Sequence, residues 1–502
     1  MNVYLPEDMK AIDRAAIEEL GISSVQLMEN AARALAEAAC EHLPDRKTET
    51  WIFCGTGNNG GDGIAAARFL LEAGYPVRCF LIGDEAALSP DASEMLRRLR
   101  DSWGETERFS PERKGTPGVI IDAMFGFSFR GALRGDYLEA AKWINHSRAF
   151  VIACDLPSGV DPRTGKVESE AVRADCTVTM TGFKTGLLLA PGSEYAGRVE
   201  TVSIGIPEAA LVRQPVAKVT QIQDAAACYP RRLRNSHKGN YGKVLLLCGS
   251  EGFTGAAALA AQAALRAGSG LVYLGVPRSV YPILASKLDE AVVFPLADKE
   301  GHFSRDALPE IAERLDGMDA CLIGPGLGRS WDVQTMVREM MTWIQCPTVV
   351  DADGLNALAE EPEEIRRAYA PLVLTPHDGE LSRLGAAPEP GARLEGAKIF
   401  ARSHDVTLLL KGFRTIVTDG TKTYVNPTGN PGMAVGGSGD VLSGILVSLL
   451  GRGFAPVHAA AAAAWIHGAA GDLAASEYGE ASMLPTDLLS KLPEVIRSLE
   501  TI

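Results

Sequence analysis

The sequence has no excess of basic residues: 49 Lys and Arg stand against 63 Asp and Glu, a formal net charge of −14 over 502 residues. A general nucleic-acid binder carries a basic face, so that class is excluded. Anionic small ligands are not, because backbone N–H groups and helix N-termini hold phosphates without basic side chains. Disulfide and zinc frameworks are also missing. The nine cysteines are scattered, with no Cys-x-x-Cys pair and no histidine cluster beside them, and read as reduced, core-filling thiols of a cytoplasmic protein. Long apolar runs are lacking too. The most apolar stretches, Val441–Leu450 and Ala459–Ala464, are too short for a membrane span. Met1–Lys10 is acidic and has no apolar run, so it does not read as a secretory signal. A soluble chain without a membrane partner is expected. No short-period repeat is visible, which excludes a solenoid.

What is present is a strand–helix alternation that starts twice. The length exceeds what one core normally supports, and 46% apolar with 22% charged residues is ordinary for a globular protein. In the first half, β-rich runs at Trp51–Cys54, Val77–Ile82, Val119–Asp122, Phe150–Asp155 and Cys176–Met180 alternate with helical patterns at Gly63–Ala73, Asp91–Ser102 and Tyr137–Asn145. Two further helical patterns, Glu7–Leu20 and Ser24–His42, precede the first strand. The second half restarts with a strand at Lys243–Cys248 and a helix at Ala256–Ala267, and ends in Ala-rich helices through Val441–Leu450 and Val457–Ala475. Such alternation predicts βαβ units, a mostly parallel sheet in each half and an α/β fold class. The break is expected near Val212–Ala217, giving domains 1–212 and 218–502.

The sharpest feature of the first half is Cys54-Gly-Thr-Gly-Asn-Asn-Gly-Gly-Asp-Gly63. It follows an apolar strand and opens a helix, where a Gly-rich turn brings backbone amides close to phosphates. A tight strand-to-helix connection would need glycine too, but not the Asn-Asn and Asp placed among the glycines. Asp122 and Asp155 end two other strands. Singly, each is an ordinary helix cap or turn former. Together they read as a site, because ligands of open parallel sheets bind beyond the carboxyl ends of the strands.

These motifs, Asn-Asn-Gly-Gly-Asp-Gly, Asp-Ala-Met-Phe-Gly and Asp-Leu-Pro-Ser-Gly-Val-Asp, resemble in order and spacing the N-terminal epimerase domain of the bifunctional NAD(P)H-hydrate repair enzymes. The resemblance covers roughly residues 1–212 and implies a Rossmann-like three-layer domain. It implies that Asn58, Asn59, Gly60, Gly61, Asp62, Gly126, Phe127, Ser128, Phe129, Arg130, Gly131, Ala132, Tyr137 and Asp155 contact the hydrate. It further implies that Asn59, Asp122 and Ser158 hold a potassium ion. Asp155 is the expected proton-transfer residue, and Lys184 is a weaker candidate that pairs with phosphate.

The second half carries Asn430-Pro-Gly-Met-Ala-Val-Gly-Gly-Ser-Gly-Asp440 immediately before an apolar helix. Amides at a helix N-terminus form an anion hole there, with Asp440 placed as a base; as a mere cap, Asp440 would not need four glycines clustered before it. Supporting motifs end other strands: Gly324-Pro-Gly-Leu-Gly328, Asp351-Ala-Asp-Gly-Leu-Asn356, Thr375-Pro-His-Asp-Gly-Glu380 and Lys411-Gly-Phe-Arg-Thr415. A lone histidine is usually structural, but His377 at a strand end beside acidic residues is expected to touch a ligand. From about residue 220 onward these motifs resemble the ADP/ATP-dependent NAD(P)H-hydrate dehydratases, a ribokinase-like branch. The resemblance implies a hydrate pocket lined by Ala256, Gly326, His377 and Asp440, and a nucleotide site formed by Lys411, Gly412, Phe413, Arg414, Thr415 and Gly439.

The two resemblances imply repair of NADHX and NADPHX: epimerisation of the R and S hydrates in the first half, then dehydration of the S form with ADP or ATP and Mg2+ in the second. A homo-oligomer is expected. Two alternatives stay open at this stage. One is a small-molecule kinase with an accessory N-terminal domain; the other makes the first half a binding or scaffold module.

Overall fold

The computed structural model describes residues 1–386 and 391–502. It divides into two compact units, Met1–Ala217 and Lys218–Ile502.

The first unit is built on a parallel sheet. In spatial order its strands are Thr106–Arg108, Val77–Leu81, Thr50–Cys54, Val119–Ala123, Phe150–Cys154, Cys176–Met180 and Arg198–Val202. Every neighbouring pair is parallel. Successive side chains of a strand point to opposite faces, and the burial follows. Ile52, Cys54, Ile121 and Ile152 join one core with the helices Ser24–His42, Asn58–Glu72 and Pro90–Asp101. Trp51, Phe53, Phe80, Ile120 and Val151 join the opposite core with Ala140, Ala141 and Ile144 of helix Gly135–His146. Both faces are therefore covered, which is why the strands read as apolar runs and not as alternating ones. This is the three-layer α/β arrangement expected.

The second unit repeats the principle on a larger sheet, ordered Val292–Leu296, Leu271–Pro277, Lys243–Leu247, Ala320–Ile323, Thr348–Val350, Leu372–Leu374, Thr407–Leu410, Ile416–Thr418 and Thr423–Val425, with Ala217–Val219 pairing at the end. All its pairs are parallel except the two made by Ile416–Thr418, which are antiparallel. Its helices approach closely because they are rich in small residues. A Cβ at Gly444, in helix Ser438–Gly451, would lie 2.3 Å from the Ala260 carbonyl oxygen of helix Thr254–Arg266.

The main departure from the sequence reading lies at the first site. The helix expected over Gly63–Ala73 begins five residues earlier, at Asn58. The Asn-Asn-Gly-Gly-Asp run is thus the first turns of the helix and not a loop before it. Glycine disfavours a helix interior by about 1 kcal/mol relative to alanine, and here close packing outweighs that. A Cβ at Gly60 would sit 1.8 Å from the Gly55 carbonyl oxygen, and one at Gly63 2.6 Å from the Ala123 Cβ. The glycines let the helix start lie directly against the strand ends. Helices Trp331–Met341, Arg393–His404 and Pro485–Leu499 and the edge strand Val292–Leu296 are further elements the periodicity did not single out.

Candidate active sites

In the first unit the carboxyl ends of the strands open on a cavity of about 940 Å³. Asn58, Asn59, Asp62, Gly126, Phe127, Ser128, Phe129, Arg130, Ala132, Tyr137 and Asp155 all line it, so most of the dispersed sequence motifs meet on one wall. The N-terminus of helix Asn58–Glu72 opens there, presenting unpaired amides and the positive end of the helix dipole to an anion. Met9, Ile17, Leu27, Met28, Phe125 and Leu133 supply an apolar surface suited to a planar ring. Gly60 and Gly61 do not line the cavity. Gly60 packs on Gly55, and a Cβ at Gly61 would press on the Met28 sulfur at 2.7 Å. Gly131 is also off the wall, in a left-handed turn at φ +80°.

Asp155 follows strand Phe150–Cys154 and adopts φ +67°. Its carboxylate is ion-paired with the fully buried Lys184 and accepts hydrogen bonds from the Phe127 amide at 3.2 Å and Thr179 Oγ1 at 3.2 Å. Lys184 Nζ also donates to Thr179 Oγ1 at 3.0 Å and to the Met180 carbonyl at 2.9 Å. A buried ammonium with three oxygen partners is fixed in place, and it fixes Asp155 in turn. The sequence reading ranks Lys184 as a weaker, phosphate-pairing residue; among the described residues its carboxylate partner is Asp155.

Asp122 and Ser158 sit together behind the wall. Asp122 is fully buried and accepts from the Ser158 amide at 2.8 Å, Ser158 Oγ at 2.7 Å and the Met124 amide at 3.2 Å. Burial pushes its pKa up to about 6 against those hydrogen bonds. Asn59 Nδ2 is buried without a partner, and Asn59 Oδ1 lies 2.7 Å from where a Gly126 Cβ would stand.

In the second unit, Asp440 occupies the first turn of helix Ser438–Gly451, capped by Gly437 at φ +99°. Burial first, and then the charge of Asp351, push its pKa up to about 7, with Lys411 opposing. Lys411 Nζ is 2.8 Å from Asp351 Oδ1 and 3.8 Å from Glu380 Oε2. Ser443 Oγ donates to the other oxygen of Asp351. A Cβ at Gly439 would be 3.5 Å from Lys411 Nζ, so Gly439, Asp440 and Lys411 converge on one spot. Ala256 and Gly326 form a neighbouring group: a Cβ at Gly326 would lie 3.1 Å from that of Ala256 and 2.8 Å from that of Phe253, an exposed aromatic.

His377 has a clear structural task. It caps helix Asp378–Arg383, its Nδ1 accepting from the amides of Gly379 at 3.0 Å and Glu380 at 3.3 Å. Nδ1 must then be unprotonated, which leaves Nε2 to carry the proton. Within Lys411–Thr415 the side chains diverge. Phe413 is exposed, whereas Arg414 turns inward to donate to the Pro427 carbonyl at 2.8 Å. Arg393, which no motif indicated, clamps the loop by donating to the Lys411 carbonyl at 2.7 Å and to Asp378 at 2.9 Å. His467 was also missed. It is buried in the Ala-rich helix Pro456–Tyr478, 2.9 Å from the Ser438 carbonyl, and burial lowers its pKa to about 4.

A family profile described as NAD(P)H-hydrate dehydratase matches residues 244–494, and one described as YjeF-related protein N-terminus matches residues 24–186. A bifunctional NAD(P)H-hydrate repair enzyme from Moorella thermoacetica is 42% identical over a 519-residue alignment, spanning 100% of this chain and 97% of that protein. Among solved structures, a ribokinase-like superfamily protein from Enterococcus faecalis is 24% identical with a TM-score of 0.50, covering 58% of this chain and 99% of that one, a likeness of fold. An ADP/ATP-dependent NAD(P)H-hydrate dehydratase from Bacillus subtilis, co-crystallised with ATP and Mg2+, is 32% identical with a TM-score of 0.49, covering 57% and 99%.

Proposed function

This chain belongs to the bifunctional NAD(P)H-hydrate repair enzymes, and from that membership we propose that residues 1–212 epimerise the hydrated cofactor and residues 218–502 dehydrate it. The observation that carries the assignment is that each unit holds its own acid–base centre, Asp155 with Lys184 in one and Asp440 with Lys411 in the other.

In the first unit the hydrate's ring lies on the apolar wall and its phosphates face the start of helix Asn58–Glu72. Asp155, held by Lys184, moves the oxygen-borne proton that inversion of the hydroxyl-bearing carbon requires. Potassium would be held behind the wall by the side-chain oxygens of Asn59, Asp122 and Ser158. Asp122 is a fully buried carboxylate hydrogen-bonded to Ser158, with no cationic side chain in hydrogen-bond contact among the described residues. An ion there would supply positive charge beside the substrate's polar groups.

In the second unit Asp440 takes the proton of the hydrate hydroxyl as the oxygen attacks the terminal phosphate of ADP, releasing AMP. The resulting phosphate ester is a better leaving group. It departs with the electrons of the C–O bond as the ring nitrogen's lone pair forms a C=N bond, and the adjacent carbon then loses a proton, which restores the ring double bond and the nitrogen's lone pair. Lys411 and the amides at Gly439 hold the transferring phosphate. Mg2+ would be held by the phosphates of the nucleotide and would supply charge to the transferring group; among the described residues no cluster of three carboxylate, histidine or cysteine side chains forms a metal site of its own. We place the protein in the cytoplasm, consistent with nine free cysteines.

The test is incubation of the purified chain with mixed hydrate epimers and ADP or ATP, following the absorbance of regenerated cofactor. Regeneration of both epimers supports the reading; phosphorylated hydrate without regenerated cofactor refutes it.

A further inference from the structure

Two carboxyl groups on the first cavity are left without a task. Asp62 lies in the first turns of helix Asn58–Glu72, and Asp13 lies on helix Pro6–Arg14, before the stretch that matches the family profile. Met9, Asp13 and Ile17, spaced four apart, turn one face of that N-terminal segment to the cavity. Neither carboxyl has a hydrogen-bond partner among the described residues. The charged groups that face them are Asp155, Lys184, Asp91, Arg130 and Arg134.

We propose that Asp62, which lines the same cavity as Asp13, is the acid of the epimerase site and works with the Asp155–Lys184 pair as base, so that the N-terminal helix is part of the site. The proposal rests on the epimerase reading above. Its electrostatics agree. Burial, then the charges of Asp155, Asp13 and Asp91, raise the Asp62 pKa well above the carboxylate range, and burial pushes Asp13 up to about 6. Asp155 is ion-paired with Lys184, which fits it for the role of base. Two acids on one cavity, one kept protonated and one ionised, is the division of labour an acid–base pair requires.

The step balances without an oxidant. The hydroxyl sits on the carbon next to the ring nitrogen. Asp62 gives its proton to that oxygen, the C–O bond breaks, the nitrogen lone pair forms a C=N bond, and water departs. Water then adds to the other face, its oxygen forming the new C–O bond and its proton passing to Asp155. Proton exchange through cavity water returns both carboxyls to their starting states.

The experiment measures epimerisation, corrected for the spontaneous rate, from pH 5 to 9 in wild type, Asp62→Asn and Asp13→Asn. An acid must be protonated, so wild-type kcat falls as pH rises through the raised Asp62 pKa. Asp62→Asn is expected to lose about 100-fold or more in kcat with little change in KM. Asp13→Asn removes a like charge and is expected to move the alkaline limb to lower pH, a shift that a merely structural role would not produce. Asparagine keeps the shape of a neutral Asp62, and Asp13→Asn removes a like charge from the cavity, so neither variant should melt below the wild type. Should Asp62→Asn fail to fold, the limb shift in Asp13→Asn still decides. Asp62→Asn within about threefold of wild type, or an unmoved limb in Asp13→Asn, overturns the proposal while leaving the epimerase reading intact. A wild type that does not epimerise overturns both.

Discussion

At the scale of the residue, the account rests on carboxyl groups whose proton affinity the fold has changed. In the proposed dehydration Asp440 is the base and must be ionised, and its pKa is pushed up to about 7. Dehydration kcat/KM is therefore expected to rise through about pH 7 and level off above it. Lys411 lowers that pKa, so Lys411→Met will move the limb to higher pH as well as weaken phosphate binding; a pH–rate profile of both proteins checks this. Asp440→Asn keeps the shape but not the base, and is expected to lose about 100-fold or more in dehydration while nucleotide affinity stays within a few-fold. Potassium makes a separate prediction. Asp122→Ala removes the charged oxygen of the proposed ion site, and epimerisation should lose its response to added potassium chloride relative to sodium chloride. An epimerase already indifferent to the cation would remove the ion from the account. Residues carried by a dense motif, such as Asp155 and Asp440, were legible in the sequence. Partners brought in by the sheet order were harder to see. Arg393 and Asp13 reach their places only through the packing of separate elements, and His467 stands alone in an Ala-rich run with no signal around it.

At the scale of the element, glycine sets how near a helix start can come to the strand ends. The buried parallel strands were readable as apolar runs; for example those expected at Trp51–Cys54, Cys176–Met180 and Lys243–Cys248 form as Thr50–Cys54, Cys176–Met180 and Lys243–Leu247. The start of helix Asn58–Glu72 was not, because three glycines in six residues look like a loop until the surface they pack on is known. Gly60→Ala would place a methyl group 1.8 Å from the Gly55 carbonyl oxygen. It is expected to destabilise the first unit by about 3 kcal/mol and to impair epimerisation. Gly57→Ala, at φ −86° with no atom within 4 Å of the added Cβ, should be close to neutral in stability. Denaturant unfolding of the two variants separates the outcomes; equal stability would show that the helix start can shift to make room.

At the scale of the whole molecule, two compact units each carry a glycine-rich helix start and a strand-end acid. Among the described residues no helix is long and apolar enough to cross a membrane. The central claim is that each unit owns one reaction. The measurement that tests it most directly is a progress curve on mixed hydrate epimers with ADP, resolving both epimers by chromatography, for Asp155→Ala and Asp440→Asn. The account predicts that the Asp155 variant consumes the accepted epimer at a near-normal rate and then slows to the rate of spontaneous epimerisation. The Asp440 variant should equilibrate the epimers and regenerate no cofactor. If either substitution silences both reactions in a protein that remains folded, the two-site account is contradicted.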